Sequence, residues 1–184
     1  MNGSVADEQI TLVDEEDHVI GAIRRGDRSY ATIYRATNLW VTNSRGQILL
    51  AQRQFDKEQG AGKWGPAAAG TVAAGETYRQ NVYREAAEEI GLTGIAFAAG
   101  VKSFVARPGR YRYFRQSFTA QADWPLSRFQ LQKDEVAAVA WIDRDELLRE
   151  LESAPRKFVV SARDWPERFL ASSELERKTR GAYA

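Results

Sequence analysis

The sequence predicts an α/β domain carrying an N-terminal β-hairpin, and three observations lead there. Short runs rich in Val, Ile, Thr and Tyr, bounded by Gly, Asn and Asp, recur before and after the middle of the chain. Residues 77–90 show helical periodicity between a threonine cap and a glycine stop. Helical patterns return at 143–151 and 159–172. A chain of 184 residues suits one domain with a short extension and can bury a real core.

The first hairpin spans residues 9–24, with apolar Ile10 and Leu12, an acidic turn at 14–17, then Val19, Ile20 and Ile23. Strands at 36–42 and 47–52 follow, joined at Asn43-Ser44-Arg45-Gly46. Residues 54–66 are polar and Gly-rich, end in Trp64-Gly65-Pro66, and read as a long surface loop. After a small-residue run at 67–70, a loop containing Gly75 leads into the helix at 77–90, capped by Thr77 and stopped by Gly91. Strands are expected at 95–105 and 111–120 about a Pro108-Gly109 turn, then a loop to 132 and a strand at 136–142. The last helix, 159–172, sets Trp165, Phe169 and Leu170 on one face, and the tail after Glu174 is polar.

Composition removes much chemistry. There is no cysteine and His18 is the only histidine, which excludes thiol nucleophiles, disulfides, Cys/His zinc sites and most histidine-based triads. His18 itself reads as a solvated turn residue. Lys and Arg total 26 against 25 Asp and Glu, so the net charge of +1 gives no general reason to expect DNA as a partner. No apolar run approaches a membrane span and residues 1–7 lack a signal-peptide layout, so a cytoplasmic protein with no membrane partner is expected.

Carboxylates must then carry the chemistry, and they gather on one helix. Glu85, Glu88 and Glu89 fall at i, i+3 and i+4, which aims three acids at one patch, while Val82, Tyr83, Ala86, Ala87 and Ile90 form an apolar stripe opposite. Like charges so placed repel by a few tenths of a kcal/mol, and they crowd the end of the helix where the dipole also disfavours them. Mg²⁺, which takes oxygen ligands at about 2.1 Å, removes that penalty. Arg84 is placed to pin a glutamate such as Glu88, and Glu76 to complement the helix dipole or cap it. The bland alternative is a solvated helix face.

The spacing decides between them. From Gly70 the chain reads glycine, five residues, Glu76, seven residues, Arg84-Glu85, two residues, Glu88-Glu89, one residue, Gly91, then apolar Leu92. This pattern, on a loop and helix after a paired hairpin, resembles the Nudix box, and the chain is identified as a member of the Nudix hydrolase superfamily. The stretches LLAQRQ, WGPAAAG and DEVAAVAWIDRDEL are similar to the branch that contains isopentenyl-diphosphate isomerase. The resemblance implies an α/β/α sandwich with a mixed sheet. It divides the chain into a hairpin extension (1–34), a Nudix domain (35–174) and a polar tail (175–184).

It also implies roles. Glu85 and Glu89 would be metal ligands, Glu88 a ligand or water activator, the Ala69 carbonyl a further ligand and Arg84 an orienting partner. The metal would be Mg²⁺, with Mn²⁺ as substitute. The reaction would be attack of an activated water on phosphorus of a nucleoside diphosphate linked to a group X. Glu135 matches a position where some members place another ligand or general base, and reads equally as a solvated strand entry.

Residues 107–115 interleave Arg107, Arg110, Arg112 and Arg115 with Tyr111, Tyr113 and Phe114, able to grip phosphate and stack on a base, or simply a hairpin with arginines outward. Trp64 either stacks on substrate or anchors its loop.

Two other readings compete with a hydrolase. By the isomerase pattern a cysteine would stand at Ala69, histidines near Tyr34 and Thr71, and an acidic pair at Tyr111 and Tyr113; none is present. A non-catalytic nucleotide-binding or regulatory module would show a degenerate box, whereas every charged box position is kept. The exposed edges of the N-terminal hairpin make a homodimer a further expectation.

Overall fold

A computed structural model describes residues 5–106 and 111–165. Its strands are β1 (Gln9–Val13), β2 (Val19–Arg24), β3 (Ile33–Thr42), β4 (Ile48–Arg53), β5 (Trp64–Pro66), β6 (Ala68–Thr71), β7 (Ala98–Val105), β8 (Arg112–Gln121) and β9 (Val136–Ile142); its α-helices are α1 (Tyr78–Ile90) and α2 (Arg144–Ser153). The nine strands form one mixed sheet.

Its hub is β3, which pairs with four other strands. Along one edge it pairs in parallel with β8, from Ile33 against Arg112 to Thr42 against Gln121. It also pairs antiparallel with β1 at Tyr34, with β6 at residues 36–39, and with β4 at residues 41 and 42. β5 and β9 both pair with β4, and β7 with β8.

Side chains alternate across a strand, so β3 feeds both faces of the sheet. Leu39 and Val41 join Leu49, Val82, Ala86 and Ile90 in the core beneath α1. Trp40 points the other way and joins Ile48, Leu50, Leu147 of α2, Phe158 and Trp165. These two cores make the sandwich. Val82 and Ile90, 1% and 0% exposed, each contribute about 1.5–3 kcal/mol of burial to fixing α1.

α1 begins and ends where its sequence says. The Thr77 hydroxyl accepts from the Gln80 amide while the Gln80 side chain accepts from the Thr77 amide. At the far end Gly91 takes φ +69°, and a Cβ there would also meet Gln130 at 2.8 Å.

Three differences from the sequence reading concern chain that looked irregular or helical. Trp64–Pro66 is not loop but β5, because its extended backbone completes an edge of β4; Pro66, without an N–H, sits at its end. β3 starts at Ile33, three residues earlier than expected, since Tyr34 is claimed by β1 on one side and β8 on the other. Where a helix was expected over 159–172, the chain forms a 3₁₀ turn at Val160–Asp164 and then Trp165; Phe169 and Leu170 lie outside the described residues.

The N-terminal hairpin is locked to the domain by a residue that reads as mere turn. Asp17 takes φ +68° and is 7% exposed. Its carboxylate accepts from Arg35 Nε at 2.7 Å, the Tyr78 hydroxyl at 2.9 Å and Lys102 Nζ at 2.6 Å, so one acid ties the turn to β3, to the start of α1 and to β7. Neighbouring His18 is solvated, its side chain 70% exposed. Burial alone would raise the Asp17 pKa; the donors from Lys102, Arg35 and Tyr78 outweigh it and hold the group below its ordinary value.

A carboxyl depressed in the folded state contributes stability above its unfolded pKa, near 3.9, and loses it as pH falls through the folded value. Asp17→Asn should therefore lower stability at pH 7 by about 2–4 kcal/mol, because Arg35 loses its buried counter-ion. Thermal midpoints measured from pH 7 to pH 2 should begin to converge as pH falls below about 4, the unfolded value, and continue to do so down through the depressed folded value; parallel curves would refute the assignment.

Candidate active site

The site forms where β6 passes over α1. Gly70 pairs with Thr37 on the face towards the helix, and the Glu85 carboxyl group occupies the space its side chain would take: a Cβ on Gly70 would lie 2.1 Å from Glu85 Cδ. One residue back, the Ala69 N–H donates to Glu89 Oε2 at 3.1 Å. In an antiparallel strand a residue's N–H and C=O leave by the same edge, so the Ala69 carbonyl also faces away from β3, on the glutamate side.

Glu88 does not join them. Relative to Glu85 it turns towards solvent, 52% exposed, and accepts from Arg84 Nη1 at 2.9 Å. Glu89 lies four residues after Glu85, about 40° round the helix, whereas Glu88 lies about 60° the other way, so one turn delivers two acids to β6 and the third to its rim. Among the described residues no three carboxylate or imidazole groups form a metal-binding cluster.

Arg84 is the organising cation. Besides Glu88 it donates to Glu76 at 2.7 and 3.2 Å and to Glu85 at 2.9 Å. Glu76 therefore does not cap α1, which Thr77 and Gln80 do for themselves; it accepts from Arg84, from the Ala73 N–H and from Asn81. These donors override burial and keep Glu76 below the usual carboxylate range, while its carboxylates keep Arg84 charged.

Asn81, four residues before Glu85 and fully buried, was missed from sequence. Its amide donates to the Thr71 carbonyl at 2.9 Å and reaches Glu85 at 3.4 Å, and its oxygen accepts from Thr37, which pins α1 to β6 and β3. A polar residue interrupting an apolar helical stripe was its available signal.

From the opposite side come β4 and the entry to β9. Glu135 lies close enough to Glu89 to raise its pKa, and Arg53 close enough to lower it. Lys57, in the loop after β4, donates to Glu135 at 2.7 Å, and the Gln54 N–H donates to the Glu135 carbonyl at 2.9 Å. Neither cation was singled out from sequence, since lysine and arginine in a polar loop carry no spacing signal.

The remaining candidates lie elsewhere. Trp64 packs beside the Trp40 and Phe158 core, and its carbonyl accepts from the Val159 N–H, so it anchors its segment. Arg112 bonds to the Ala31 carbonyl at 2.8 Å and to Glu15 at 3.3 Å, near the N-terminal hairpin. Arg110 and Arg107 are outside the described residues.

The electrostatics fit a divalent cation. Burial first, then the charge of Glu88 against the partial relief of Arg84, pushes Glu85 up to about 7. Burial and the Glu85 carboxylate push Glu89 up to about 8. Two acids held together in a poor solvent for charge are hard oxygen donors in want of a cation, and with the Ala69 carbonyl they offer the all-oxygen set that suits Mg²⁺ or Mn²⁺.

Comparison with known proteins agrees with this geometry. The NUDIX domain family matches residues 32–162. The uncharacterized Nudix hydrolase PA4841 of Pseudomonas aeruginosa is 33% identical over 149 residues, covering 80% of this chain and 86% of its own length. The uncharacterized Nudix hydrolase YfcD of Shigella flexneri is 29% identical over 173 residues, 94% of each chain. Among solved structures, DR0079 from Deinococcus radiodurans superposes with a TM-score of 0.69 at 22% identity, covering 80% of this chain and 90% of that one. The MutT protein from Methanosarcina mazei gives 0.62 at 21%, covering 77% and 95%. A glutamate helix seated under a glycine strand, within a domain matched over most of its length, places this chain in the Nudix family of pyrophosphohydrolases.

Proposed function

We propose that this enzyme hydrolyses the diphosphate linkage of a nucleoside diphosphate attached to a group X, using Mg²⁺ or Mn²⁺. The observation that carries the reading is the pair formed by Glu85 in the space above α1 left by Gly70 and Glu89 on the Ala69 N–H. Glu85, Glu89 and the Ala69 carbonyl would hold the metal, which when bound neutralises diphosphate charge and lowers the pKa of water.

The protein's own groups do the rest. Arg84 fixes the Glu85 carboxylate so that its orientation is set before substrate arrives. Glu135, with Glu88 as the alternative, accepts the proton of the attacking water. Lys57, paired with Glu135, and Arg53, near Glu89, would lend their charge to the departing phosphate.

A place in the branch that includes the isopentenyl-diphosphate isomerases extends this reading to the LLAQRQ and WGPAAAG segments, but as a hydrolase: Ala69, Tyr34 and Thr71 supply neither thiol nor imidazole. A purely regulatory module is disfavoured because every box carboxylate is held in place, Glu76, Glu85 and Glu88 by Arg84 and Glu89 by the Ala69 N–H. Among the described residues no helix is long and apolar enough to cross a membrane, and we retain a cytoplasmic enzyme acting on a small molecule. A homodimer paired along β2, an edge strand exposing Val19 and Ile20, completes the proposal.

Glu89→Gln should keep the wild-type fold and lose turnover on the order of 10²–10⁴-fold in a phosphate-release assay over a diphosphate library with Mg²⁺. Unchanged turnover would sink the assignment.

Gly70→Ala should displace only the Glu85 carboxylate, which lies at the end of a flexible side chain. We expect near-native circular dichroism and a loss of Mg²⁺ affinity of roughly 10–100-fold; native metal affinity would contradict the role given to Glu85.

Lys57→Met should raise KM for the diphosphate substrate roughly tenfold through one lost charged contact. An unchanged KM would remove Lys57 from the site.

A further inference from the structure

The last turn of α1 is completed by a second segment of chain. A helix leaves its final carbonyls without partners in the helix, and here Gly91 and Leu92 answer those of Ala87 and Ala86. The next two are answered from the segment before β9. The Gln132 N–H donates to the Glu89 carbonyl at 3.0 Å, and the Gln130 N–H to the Ile90 carbonyl at 3.1 Å. Gly91 admits that segment: a Cβ on it would lie 2.8 Å from Gln130 Cβ and 3.1 Å from Gln130 N. The glycine that stops the helix is therefore also the one that lets main chain dock against its end.

The contact leads directly to Glu135. The Gln132 carbonyl accepts from the Glu135 and Val136 N–H groups, each at 2.9 Å, which folds residues 132–135 into a turn at the entry to β9. Two hydrogen bonds in series thus join the peptide of Glu89 to that of Glu135. Gln54 clamps the same turn from the β4 side: its Nε2 donates to the Lys133 carbonyl at 2.7 Å and its N–H to the Glu135 carbonyl at 2.9 Å. Gln132, Lys133 and Asp134 are exposed, so hydrogen bonds, and not side-chain burial, fix where the turn lies.

We propose that Gln132 is a positioning residue: through its main chain, the glutamate whose side chain would hold the metal also sets where Glu135 stands to receive the proton of the attacking water. The inference rests on the hydrolase reading and, within it, on Glu135 as the base. Its physical reason is distance. A general base must reach its proton donor within about 3 Å, directly or through one water, and a misplacement of about 1 Å can cost a hundredfold in rate. Exposed turns move on that scale. An acid tied to the peptide of a metal ligand keeps its place relative to the metal.

The test is a mutant cycle on the full chain in the phosphate-release assay with Mg²⁺, using the library member that wild type turns over fastest. Gln132→Pro removes the N–H given to Glu89 and keeps the carbonyl that closes the turn. Relative to Gln132→Ala, which keeps both, it should lose roughly ten- to hundredfold in kcat, with KM and the Mg²⁺ requirement changed less than about twofold. Gln54→Leu, which cuts the side-chain clamp, should lose about threefold or more in the same way. This second variant carries the test if circular dichroism shows that the proline disturbs folding. In a Glu135→Gln background each substitution should cost less than about twofold, because the group they position is gone.

Losses that persist undiminished in that background, or that fall on KM or on the Mg²⁺ requirement, belong to a turn that only supports the fold and overturn the proposal. So does an undiminished kcat in Glu135→Gln, which assigns the base to Glu88 and leaves the hydrolase reading standing. Failure of the hydrolase reading is distinct: wild type then releases phosphate from no library member, and the proposal falls with it.

Discussion

The absent side chain of Gly70 is the constraint on which the site depends. Any Cβ at that position would collide with the Glu85 side chain, so its carboxyl group can lie against β6 only because this residue offers no atom there. The approach is then held from both sides. Asn81 ties α1 to Thr71 and Thr37, and Val82, Ala86 and Ile90 bury against β3 and β4. Close packing makes the carboxylates expensive to ionise, which is the state a metal ion reverses.

Arg84 moderates that expense without abolishing it. A single guanidinium shared among Glu76, Glu85 and Glu88 orders the helix face, yet Glu89 lies beyond its hydrogen bonds and rests on a backbone amide. The division of labour is physical: one acid is oriented by a fixed cation, the other is left with charge to spare. Glu135 and Lys57 approach from a different part of the chain, through β9 and the loop after β4, so the two halves of the site are joined only by folding.

Much of this was legible in the sequence because it is local. The box spacing lies within one loop and one helix, where 3.6 residues per turn converts sequence separation directly into geometry, and Thr77 and Gly91 mark its ends. The two hairpins, β9 and the helix near 144 follow from alternation and turn chemistry in the same way. Long-range partners were not legible. Asp17 looked like one acid in an acidic turn and Lys57 like part of a polar surface loop, because their partners lie far along the chain. The place of Glu88 at the rim was not legible either: spacing alone groups it with Glu85 and Glu89, and only the rotation of α1 against β6 separates it. β5 was invisible for the complementary reason, since an edge of β4, and not its own three residues, makes it a strand.

The parallel pairing of β3 with β8 carries a consequence for how the chain assembles. As synthesis proceeds from the N-terminus, β3 emerges long before its parallel neighbour, and the hairpin, β4 and β6 can satisfy only its opposite edge. Until Gln121 has left the ribosome, ten residues of the central strand present an unpaired backbone to whatever nascent chain is near, the condition under which strands recruit strangers. Folding of this enzyme should therefore be slowest at the step that closes β8 onto β3, and chaperone demand should be greatest in that interval.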